Sequence, residues 1–218
     1  MSLEEVRNYL NSIRRDFSSR PLDDDSIKND PFDQYAIWFE EAVGAQVPDP
    51  YAACLSTVDS ENKPSSRMVY IRDIIDGSFI FYTNYQSRKG ADIALNPYVY
   101  LNVYWVELER QIRVQGKIEL IDLKISDSYF KNRPRESQIG AWASDQSNIL
   151  SSRQELMDKY SYFENKYHNK DVPRPPHWGG YKILVDQFEF WQGRPNRLHD
   201  RIIYHKEPNK WRIDRLSP

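Results

Sequence analysis

The stretch from residue 51 to residue 83, YAACLSTVDSENKPSSRMVYIRDIIDGSFIFYT, sets the predicted fold of this 218-residue chain. β-Branched and aromatic residues fill three runs, and turn-forming residues separate them at 59–62 and at Asp76-Gly77. Such runs are typical of strands joined by short turns. The sequence therefore predicts antiparallel strands at Tyr51–Val58, Ser65–Ile74 and Ser78–Thr83.

Outside this stretch the spacing of apolar residues changes. Upstream, Val6, Leu10, Ile13 and Phe17 predict an amphipathic helix, and Asp30-Pro31 predicts the start of a second helix that ends at Gly44. Downstream, further strands are predicted at Val99–Trp105, at Arg110–Leu120 and two or three times between Gly180 and Ile213. Further helices are predicted at Arg88–Leu95, 124–132, 135–143 and 151–168.

The order of these elements indicates the fold class. Antiparallel strands follow one another with few helices between them, which argues against a βαβ fold. The sequence predicts a mainly β fold with flanking helices, built on an antiparallel barrel of six or seven strands. We expect one domain over residues 1–218, with a helix and polar link at 1–30 that could act as a lid, and the barrel and its helices at 31–218.

The composition excludes several classes of protein. The formal net charge is −2, whereas nucleic-acid and membrane-surface proteins favour a strong basic excess. No apolar run approaches the roughly 20 residues of a membrane span, and the N-terminus lacks a secretory pattern. We therefore expect a cytoplasmic protein without a nucleic-acid or membrane partner. The single cysteine, Cys54, lies in an apolar run and is expected to be buried and inert.

Motifs for several kinds of chemistry do not occur in the sequence. It has no glycine-rich nucleotide loop, no nucleophile elbow and no cysteine–histidine cluster with metal spacing. No metal site is therefore predicted. Arginine, aromatic and amide side chains remain. These suit an organic phosphate or a planar cofactor, because arginine binds phosphate bidentately and stacks on planar rings.

The segment Tyr82-Thr83-Asn84-Tyr85-Gln86-Ser87-Arg88-Lys89 is a candidate anion site. It ends a predicted strand and opens a predicted helix, and the first amides of a helix attract anions. Arg88 and Lys89 in the first turn are unfavourable for the helix dipole alone, which indicates a bound anion or an acidic neighbour. An ordinary capped helix with exposed cations is the alternative.

Two further segments concentrate basic side chains. In Glu189-Phe190-Trp191-Gln192-Gly193-Arg194-Pro195-Asn196-Arg197-Leu198-His199-Asp200-Arg201, an extended chain would project Arg197, His199 and Arg201 to one face. That row fits either a pocket wall or a solvated edge strand. Tyr129, Arg133 and Ser137 surround Pro134, where a helix must break. They fit either a phosphate-binding corner or a helix cap with a surface arginine.

Together these segments resemble the pyridoxine/pyridoxamine 5′-phosphate oxidases, which are flavin enzymes of the FMN-binding split-barrel fold. The family's C-terminal signature is present as Glu189-Phe190-Trp191-Gln192, followed after four residues by Arg197-Leu198-His199-Asp200-Arg201. Further blocks occur in family order from about residue 30 onward: Ser66-Arg67-Met68-Val69, Phe81-Tyr82-Thr83-Asn84, Ser87-Arg88-Lys89, Leu108-Glu109-Arg110-Gln111, Arg133 to Trp142, and Trp211 to Leu216.

The resemblance implies a homodimer in which each FMN contacts both subunits. It assigns FMN contacts to Arg67, Met68, Val69, Arg72, Tyr82, Thr83, Arg88, Lys89 and Gln111 of one subunit, and to Gln146, Ser147, Trp191 and Arg201 of the second subunit. It assigns substrate contacts to Arg14, Arg72, Tyr129, Arg133, Ser137, Arg197 and His199. Arg197 and His199 are the implied catalytic residues, one on each side of the substrate ring.

The activity implied by the resemblance is oxidation of pyridoxamine 5′-phosphate and pyridoxine 5′-phosphate to pyridoxal 5′-phosphate, a step of vitamin B6 salvage. FMN would accept the hydride and dioxygen would be reduced to hydrogen peroxide. The chain departs from the family at two positions, with Arg72 where lysine is usual and Phe17 where tyrosine is frequent. Two alternatives stay open: a split-barrel flavin enzyme acting on another substrate, and a module that binds FMN or pyridoxal phosphate without turnover.

Overall fold

The structure is a computed structural model, and it describes residues 1–12, 16–17 and 20–218. The helices of these residues are α1 (Leu3–Ser12), α2 (Pro31–Gly44), α3 (Arg88–Leu95), α4 (Leu123–Lys131), α5 (Arg135–Ala143) and α6 (Arg153–Lys166). The strands are β1 (Ala52–Val58), β2 (Pro64–Tyr70), β3 (Asp73–Ile75), β4 (Ser78–Asn84), β5 (Tyr98–Trp105), β6 (Arg110–Leu120), β7 (Trp178–Gln192), β8 (Asp200–Glu207) and β9 (Lys210–Arg215).

The chain forms two compact units. The terminal unit comprises Met1–Pro48, Tyr104–Ile112 and Glu189–Pro218, and the central unit comprises Asp49–Val103 and Arg113–Phe188. Three strands, β5, β6 and β7, contribute residues to both units. The single domain expected over residues 1–218 stays a prediction.

In the central unit the strands follow the order β2-β1-β5-β6-β7-β4-β3. β1 pairs antiparallel with β2 and β5, and β4 pairs antiparallel with β3 and β7. Exposure alternates along β1: Ala53, Leu55 and Thr57 are fully buried and their neighbours are half-buried. β1 therefore covers the core with one face, because successive side chains of a strand point to opposite faces.

In the terminal unit, α2 begins where its cap predicts. Asp30 Oδ1 accepts a hydrogen bond from the Phe32 amide at 2.8 Å, and Pro31 occupies the first helical position. Trp38 of this helix packs edge-on against Phe190, and the Phe190 ring packs against Tyr204 of the β8–β9 hairpin. Large aromatic rings thus supply much of the apolar area in this core.

The predicted fold class is confirmed, because the structure is mostly antiparallel sheet with flanking helices. The predicted bounds of α3 and α5 match those of the structure. No helix among the described residues combines the length and the apolar character that a membrane crossing requires.

The predicted strand at Ser65–Ile74 is wrong as one element. The Ile71 amide donates to the Tyr51 carbonyl, whereas the next amide, of Arg72, donates to the Ile80 carbonyl. Consecutive amides thus bond to different strands, and the chain leaves β2 to begin β3. This switch is a long-range effect that the local sequence pattern does not contain.

Two smaller predictions are also corrected. Cys54 is half-buried, not buried, because it lies on the less covered face of β1. Helix α1 ends at Ser12, and Phe17 lies outside it. The predicted helical position of Ile13 falls outside the described residues. None of the residues of α1 is buried within this chain.

Candidate functional site

Most of the predicted site residues of the central unit line one cavity of about 730 Å³. Ten of them line it: Met68, Val69, Arg72, Tyr82, Thr83, Lys89, Tyr129, Arg133, Ser137 and Gln146. Tyr70, Asn132, Pro134 and Trp178 also line it, and sequence analysis missed these four. The lining residues include three cations and, in the part of the chain that the structure describes, no carboxylate. The cavity is therefore suited to an anionic ligand, and its volume falls within the ~300–1,000 Å³ typical of ligand sites.

Lys89 is the most deeply buried of these cations, with 8% of its surface exposed. Its Nζ donates to Gln146 Oε1 at 2.8 Å and to Thr83 Oγ1 and Ser87 Oγ at 3.2 Å. All three acceptors are neutral. Burial, and then the charge of Arg67, lowers the pKa of Lys89 to about 8. A buried ammonium without a carboxylate partner is costly alone, so an anion would stabilise it.

The start of α3 places Lys89 at the end of β4. The Ser87 hydroxyl caps the helix by accepting from the Gly90 amide, and Ser87 itself is fully buried. A Cβ atom at Gly90 would lie 1.9 Å from the Tyr85 carbonyl oxygen, so the helix begins this close to the preceding turn only with glycine here. The capped helix is therefore present and Lys89 of its first turn lines the cavity, while the anion site itself stays a prediction.

Arg133 lies at the corner between α4 and α5. Its amide donates to the Phe130 carbonyl, and the Gln138 side chain donates to the carbonyls of Phe130 and Lys131, which satisfies the end of α4. Within the described residues, Arg133 Nη1 is buried without a hydrogen-bond partner. Burial lowers the pKa of Arg133, yet a guanidinium remains charged at neutral pH. The guanidinium therefore has a donor that the described residues leave unsatisfied, and Arg133 lines the cavity.

An aromatic stack forms part of the cavity wall. The rings of Tyr82 and Tyr129 are parallel, with centroids 3.7 Å apart, and Trp178 stacks on Tyr82 at 5.6 Å. The Arg133 guanidinium lies over the Trp178 ring, with 4.4 Å between Cζ and the ring centroid. Burial raises the pKa of Tyr82 to about 12, so its phenol keeps its proton at neutral pH.

Arg72 is held on the cavity wall by two tyrosines. Its Cζ lies 4.8 Å from the Tyr70 ring centroid and 5.2 Å from that of Tyr51. The Tyr51 hydroxyl in turn donates to Asp49 Oδ1 at 2.6 Å. Cation–π contacts of this kind position the guanidinium and leave its charge for a ligand.

Three predicted FMN residues of the central unit do not line the cavity: Arg67, Arg88 and Ser147. Arg67 donates to Thr57 Oγ1 at 2.7 Å and forms an ion pair with the buried Asp92. The Arg88 side chain is 59% exposed and faces Asp59 at 3.8 Å. Arg88 therefore has the acidic neighbour that was one of the two possibilities for Arg88 and Lys89, and of these two residues Lys89 alone lines the cavity.

Gln146 reaches Lys89 within one chain. The resemblance assigns Gln146 to the FMN of the second subunit, and this assignment stays a prediction; within its own chain the side chain lines the cavity. The assignment of Ser147 to the second subunit stays a prediction, and Ser147 has a positive φ of 76° beside Gln146.

The terminal unit contains a separate aromatic cluster around His199. The imidazole lies 4.6 Å from the Trp191 ring and 5.0 Å from the Phe17 ring, measured between centroids. His199 Nδ1 accepts a hydrogen bond from the Arg194 amide, so the neutral ring carries its proton on Nε2. Burial, followed by the charge of Arg197, lowers the pKa of His199, which keeps the ring neutral near pH 7.

The extended row predicted for Arg197, His199 and Arg201 is wrong. Pro195–Arg197 forms a 3₁₀ turn, Asn196 and Arg197 have φ values of 57° and 61°, and β8 begins only at Asp200. Left-handed backbone breaks the alternation on which the row depended. Asparagine after proline is the signal that could have indicated this turn, because asparagine tolerates that conformation.

The remaining predicted residues lie as follows. Arg201 Nε donates to the buried carboxylate of Glu189 at 2.7 Å, and Arg201 Nη1 donates to the Ser217 carbonyl. Gln111 lies on β6 and is half-buried. Arg14 falls outside the described residues. No group of three or more histidine, cysteine, aspartate or glutamate side chains that could hold a metal occurs among the described residues.

Comparison with known families gives two matches that together span most of the chain. Residues 39–167 match the family described as pyridoxamine 5′-phosphate oxidase. Residues 178–218 match the pyridoxine 5′-phosphate oxidase C-terminal dimerisation region, which supports a homodimer.

Curated relatives agree over nearly the full length. The chain is 46% identical over 212 residues to pyridoxine/pyridoxamine 5′-phosphate oxidase of Burkholderia multivorans, covering 96% of this chain and 99% of that protein. It is 48% identical over 215 residues to the protein of the same name from Cytophaga hutchinsonii, covering 98% and 100%.

Among solved structures, the chain is similar to PhzG from Burkholderia lata in complex with tetrahydrophenazine-1-carboxylic acid. The TM-score is 0.86 at 28% identity, over 92% of this chain and 100% of that one. A pyridoxamine 5′-phosphate oxidase-related, FMN-binding protein from Nostoc punctiforme shares the fold, with a TM-score of 0.70 at 14% identity over 88% and 100%. The chain therefore belongs to the pyridoxine/pyridoxamine 5′-phosphate oxidase family of split-barrel proteins.

Proposed function

We propose that this protein is an FMN-dependent oxidase that converts pyridoxamine 5′-phosphate and pyridoxine 5′-phosphate to pyridoxal 5′-phosphate. The observation that carries the proposal is the cavity of the central unit, whose wall has three cations and no carboxylate among the described residues. A phosphate monoester carries a charge of about −1.5 to −2 near neutral pH, so a cofactor phosphate and a substrate phosphate would together use these cations.

Lys89 would bind the FMN phosphate. Its Nζ already lies among three neutral oxygens, those of Gln146, Thr83 and Ser87, and it lacks a counter-charge there. Charge-assisted hydrogen bonds to phosphate are shorter and stronger than neutral ones. The residues present therefore fit FMN on the chemistry of the donor set.

Arg133 would bind the substrate phosphate with Tyr129 and Ser137. All three line the cavity, and the partnerless Nη1 of Arg133 supplies a donor that the protein itself does not satisfy. Binding of a remote phosphate aligns the reacting carbon, because interaction energy away from the reaction centre restricts the substrate to one orientation.

FMN, when bound, supplies the hydride acceptor, and dioxygen reoxidises it with release of hydrogen peroxide. The chain's own residues position the substrate and set the local charge. Arg72 would place positive charge on the cavity wall, which favours electron-rich groups. Tyr82, whose pKa is raised to about 12, would act as a hydrogen-bond donor and an apolar surface rather than as a base.

The catalytic roles of Arg197 and His199 are part of the same proposal and rest on the family resemblance. A neutral imidazole with its proton on Nε2 can donate one hydrogen bond to a substrate ring substituent. The proposed homodimer with FMN contacts from both subunits rests on the dimerisation region at residues 178–218.

The test is aerobic turnover by FMN-loaded protein. Pyridoxal phosphate and hydrogen peroxide should form in equal amounts from pyridoxamine 5′-phosphate and from pyridoxine 5′-phosphate, whereas unphosphorylated pyridoxamine should react poorly. Arg133→Ala should remove this preference for the phosphate ester, and Lys131→Ala, which removes an exposed neighbouring charge, should keep it.

A second candidate substrate class comes from the solved relative PhzG, whose structure contains a tetrahydrophenazine carboxylic acid. The three cations of the cavity wall favour the phosphate ester, because its charge of about −1.5 to −2 exceeds that of a single carboxylate. Faster turnover of tetrahydrophenazine-1-carboxylic acid than of either vitamin B6 phosphate would favour this second class. Absence of pyridoxal phosphate with FMN-loaded protein would reject the first.

A further inference from the structure

Arg133 is held differently from Arg67 and Arg174, two other arginines of the central unit. Arg67 forms an ion pair with Asp92, and Arg174 donates to Asp127 Oδ1 at 2.6 Å. Arg133 has no carboxylate partner among the described residues, and its guanidinium lies over the indole of Trp178 instead. A carboxylate would orient this cation and also neutralise it. A ring face orients it and leaves its charge and donors for a ligand.

Trp178 is itself fixed from several sides. It is 7% exposed, its ring meets Phe130 edge-on at 5.1 Å, and it stacks on Tyr82. Its carbonyl accepts a hydrogen bond of 2.6 Å from Arg174 Nη1, and Arg174 is anchored to Asp127 of α4. The ring therefore has little freedom to move when a ligand enters.

Gly179, the residue after Trp178, leaves room for the Tyr85 side chain beside the start of β7. A Cβ atom at Gly179 would lie 2.1 Å from the Tyr85 hydroxyl oxygen, so a larger residue at this position would displace the Tyr85 side chain. The register pairs Trp178 with Asn84 and Gly180 with Tyr82. The strand pairing thus fixes the position of the Trp178 indole relative to the Tyr82 ring on the neighbouring strand.

We propose that Trp178 is a positioning residue that orients Arg133 for a phosphate ester without neutralising it. The inference rests on the proposed function, since it concerns the same cavity, but it assigns a role to a residue that makes no charge-assisted bond itself. Trp178 lines the cavity together with Arg133 and Tyr129. A core-filling role alone would need the volume of the indole and not the negative face of its ring.

The test uses two probes on FMN-loaded protein: inorganic phosphate binding, measured by calorimetry, and turnover of pyridoxamine 5′-phosphate. Trp178→Leu should weaken phosphate binding by about 3- to 30-fold, the range expected for loss of a partly desolvated cation–π contact. The KM for pyridoxamine 5′-phosphate should rise by a similar factor with little change in kcat, and Trp178→Phe should recover part of the loss.

A second pair of measurements separates orientation from packing. In an Arg133→Met background, Trp178→Leu should cause no further loss of phosphate affinity. Site-specific replacement of Trp178 by mono-, di- and trifluorotryptophan keeps the ring shape and weakens its negative face, so phosphate affinity should fall stepwise. Equal affinity across the fluorinated series, or an undiminished effect of Trp178→Leu in the Arg133→Met background, would overturn the proposal.

Failure of the proposed function has a different signature. If the wild-type protein bound phosphate but released no pyridoxal phosphate, the oxidase assignment would fail and the phosphate measurements on Trp178 variants would still decide its role. If turnover were normal and the fluorinated series were flat, the oxidase assignment would stand and the role of Trp178 would be rejected.

Discussion

Lys89 Nζ and Gln146 Oε1 lie 2.8 Å apart, although 57 positions separate the two residues in the sequence. The contact brings the loop after α5 to the first turn of α3 within the central unit. It surrounds a cation with neutral oxygen atoms and leaves its charge unmatched by any carboxylate among the described residues lining the cavity. A ligand phosphate would supply the missing charge, and the predictions for Lys89 follow from this.

Lys89 should matter more for FMN binding than its neighbour Arg88. Lys89→Met should lower FMN affinity by about 10- to 100-fold, because hydrogen bonds to charged groups contribute ~1.5–3 kcal/mol. Arg88→Met, the matched control, should lower it by less than about fivefold, since that side chain is 59% exposed beside Asp59. Fluorescence titration with FMN measures both, and an equal or larger loss in Arg88→Met would contradict the assignment.

FMN affinity should also fall as the pH rises through about 8. In the empty cavity Lys89 loses its proton near this pH, and the neutral amine attracts phosphate less strongly. Since bound phosphate raises that pKa, binding takes up a proton above it, and the dissociation constant should rise by up to about tenfold per pH unit. The same titration of Lys89→Met should lack this dependence, and an identical pH profile in that variant would assign the proton to another group.

Gly90→Ala should destabilise the protein and displace the start of α3. The new Cβ atom would overlap the Tyr85 carbonyl oxygen, and overpacking of this kind costs about 1–3 kcal/mol in the free energy of unfolding. Gly140→Ala is the matched control in a helix, because a Cβ atom there meets nothing within 4 Å. That substitution should be neutral or stabilise by up to ~1 kcal/mol. Urea unfolding compares the two, and equal stability of both variants would contradict the close approach at Gly90.

Arg201→Ala should destabilise the terminal unit even without a ligand. Glu189 is 4% exposed and pairs with Arg201, so removal of the guanidinium takes a charged hydrogen-bond partner from a buried carboxylate, which should lower the free energy of unfolding by ~1.5–3 kcal/mol. The double variant Arg201→Ala/Glu189→Gln should regain part of that loss, because the buried group is then neutral. Urea unfolding of FMN-free protein measures both. A double variant less stable than the single one would show that the pair does not carry this cost.

Local sequence signals predicted the helices well because capping is local. Asp30-Pro31 marked the start of α2, and Ser87 marked that of α3, where the side chain caps the first turn in each case. The β1 strand was also predicted, although its buried face was not, since Cys54 was expected to be buried and lies on the less covered face. These features depend on residues within a few positions of one another.

The missed features depend on contacts between distant positions. The break between β2 and β3 arises because Ile71 and Arg72 bond to different strands, and the role of Trp178 arises from a stack with residues far away in sequence. The glycine pair after Trp178 was the available signal, since two glycines at the start of a strand often mark a close backbone approach. The turn at Asn196 and Arg197 was not predicted, because the side-chain alternation of an extended strand was assumed where the backbone is left-handed.

The most direct test of the central claim is a single turnover without oxygen. FMN-loaded protein is mixed anaerobically with excess pyridoxamine 5′-phosphate while flavin absorbance and pyridoxal phosphate are followed together. We expect bleaching of the flavin, one pyridoxal phosphate formed per FMN, and recovery of the absorbance with release of hydrogen peroxide when oxygen is admitted. A flavin that stays oxidised in the presence of saturating substrate would contradict it.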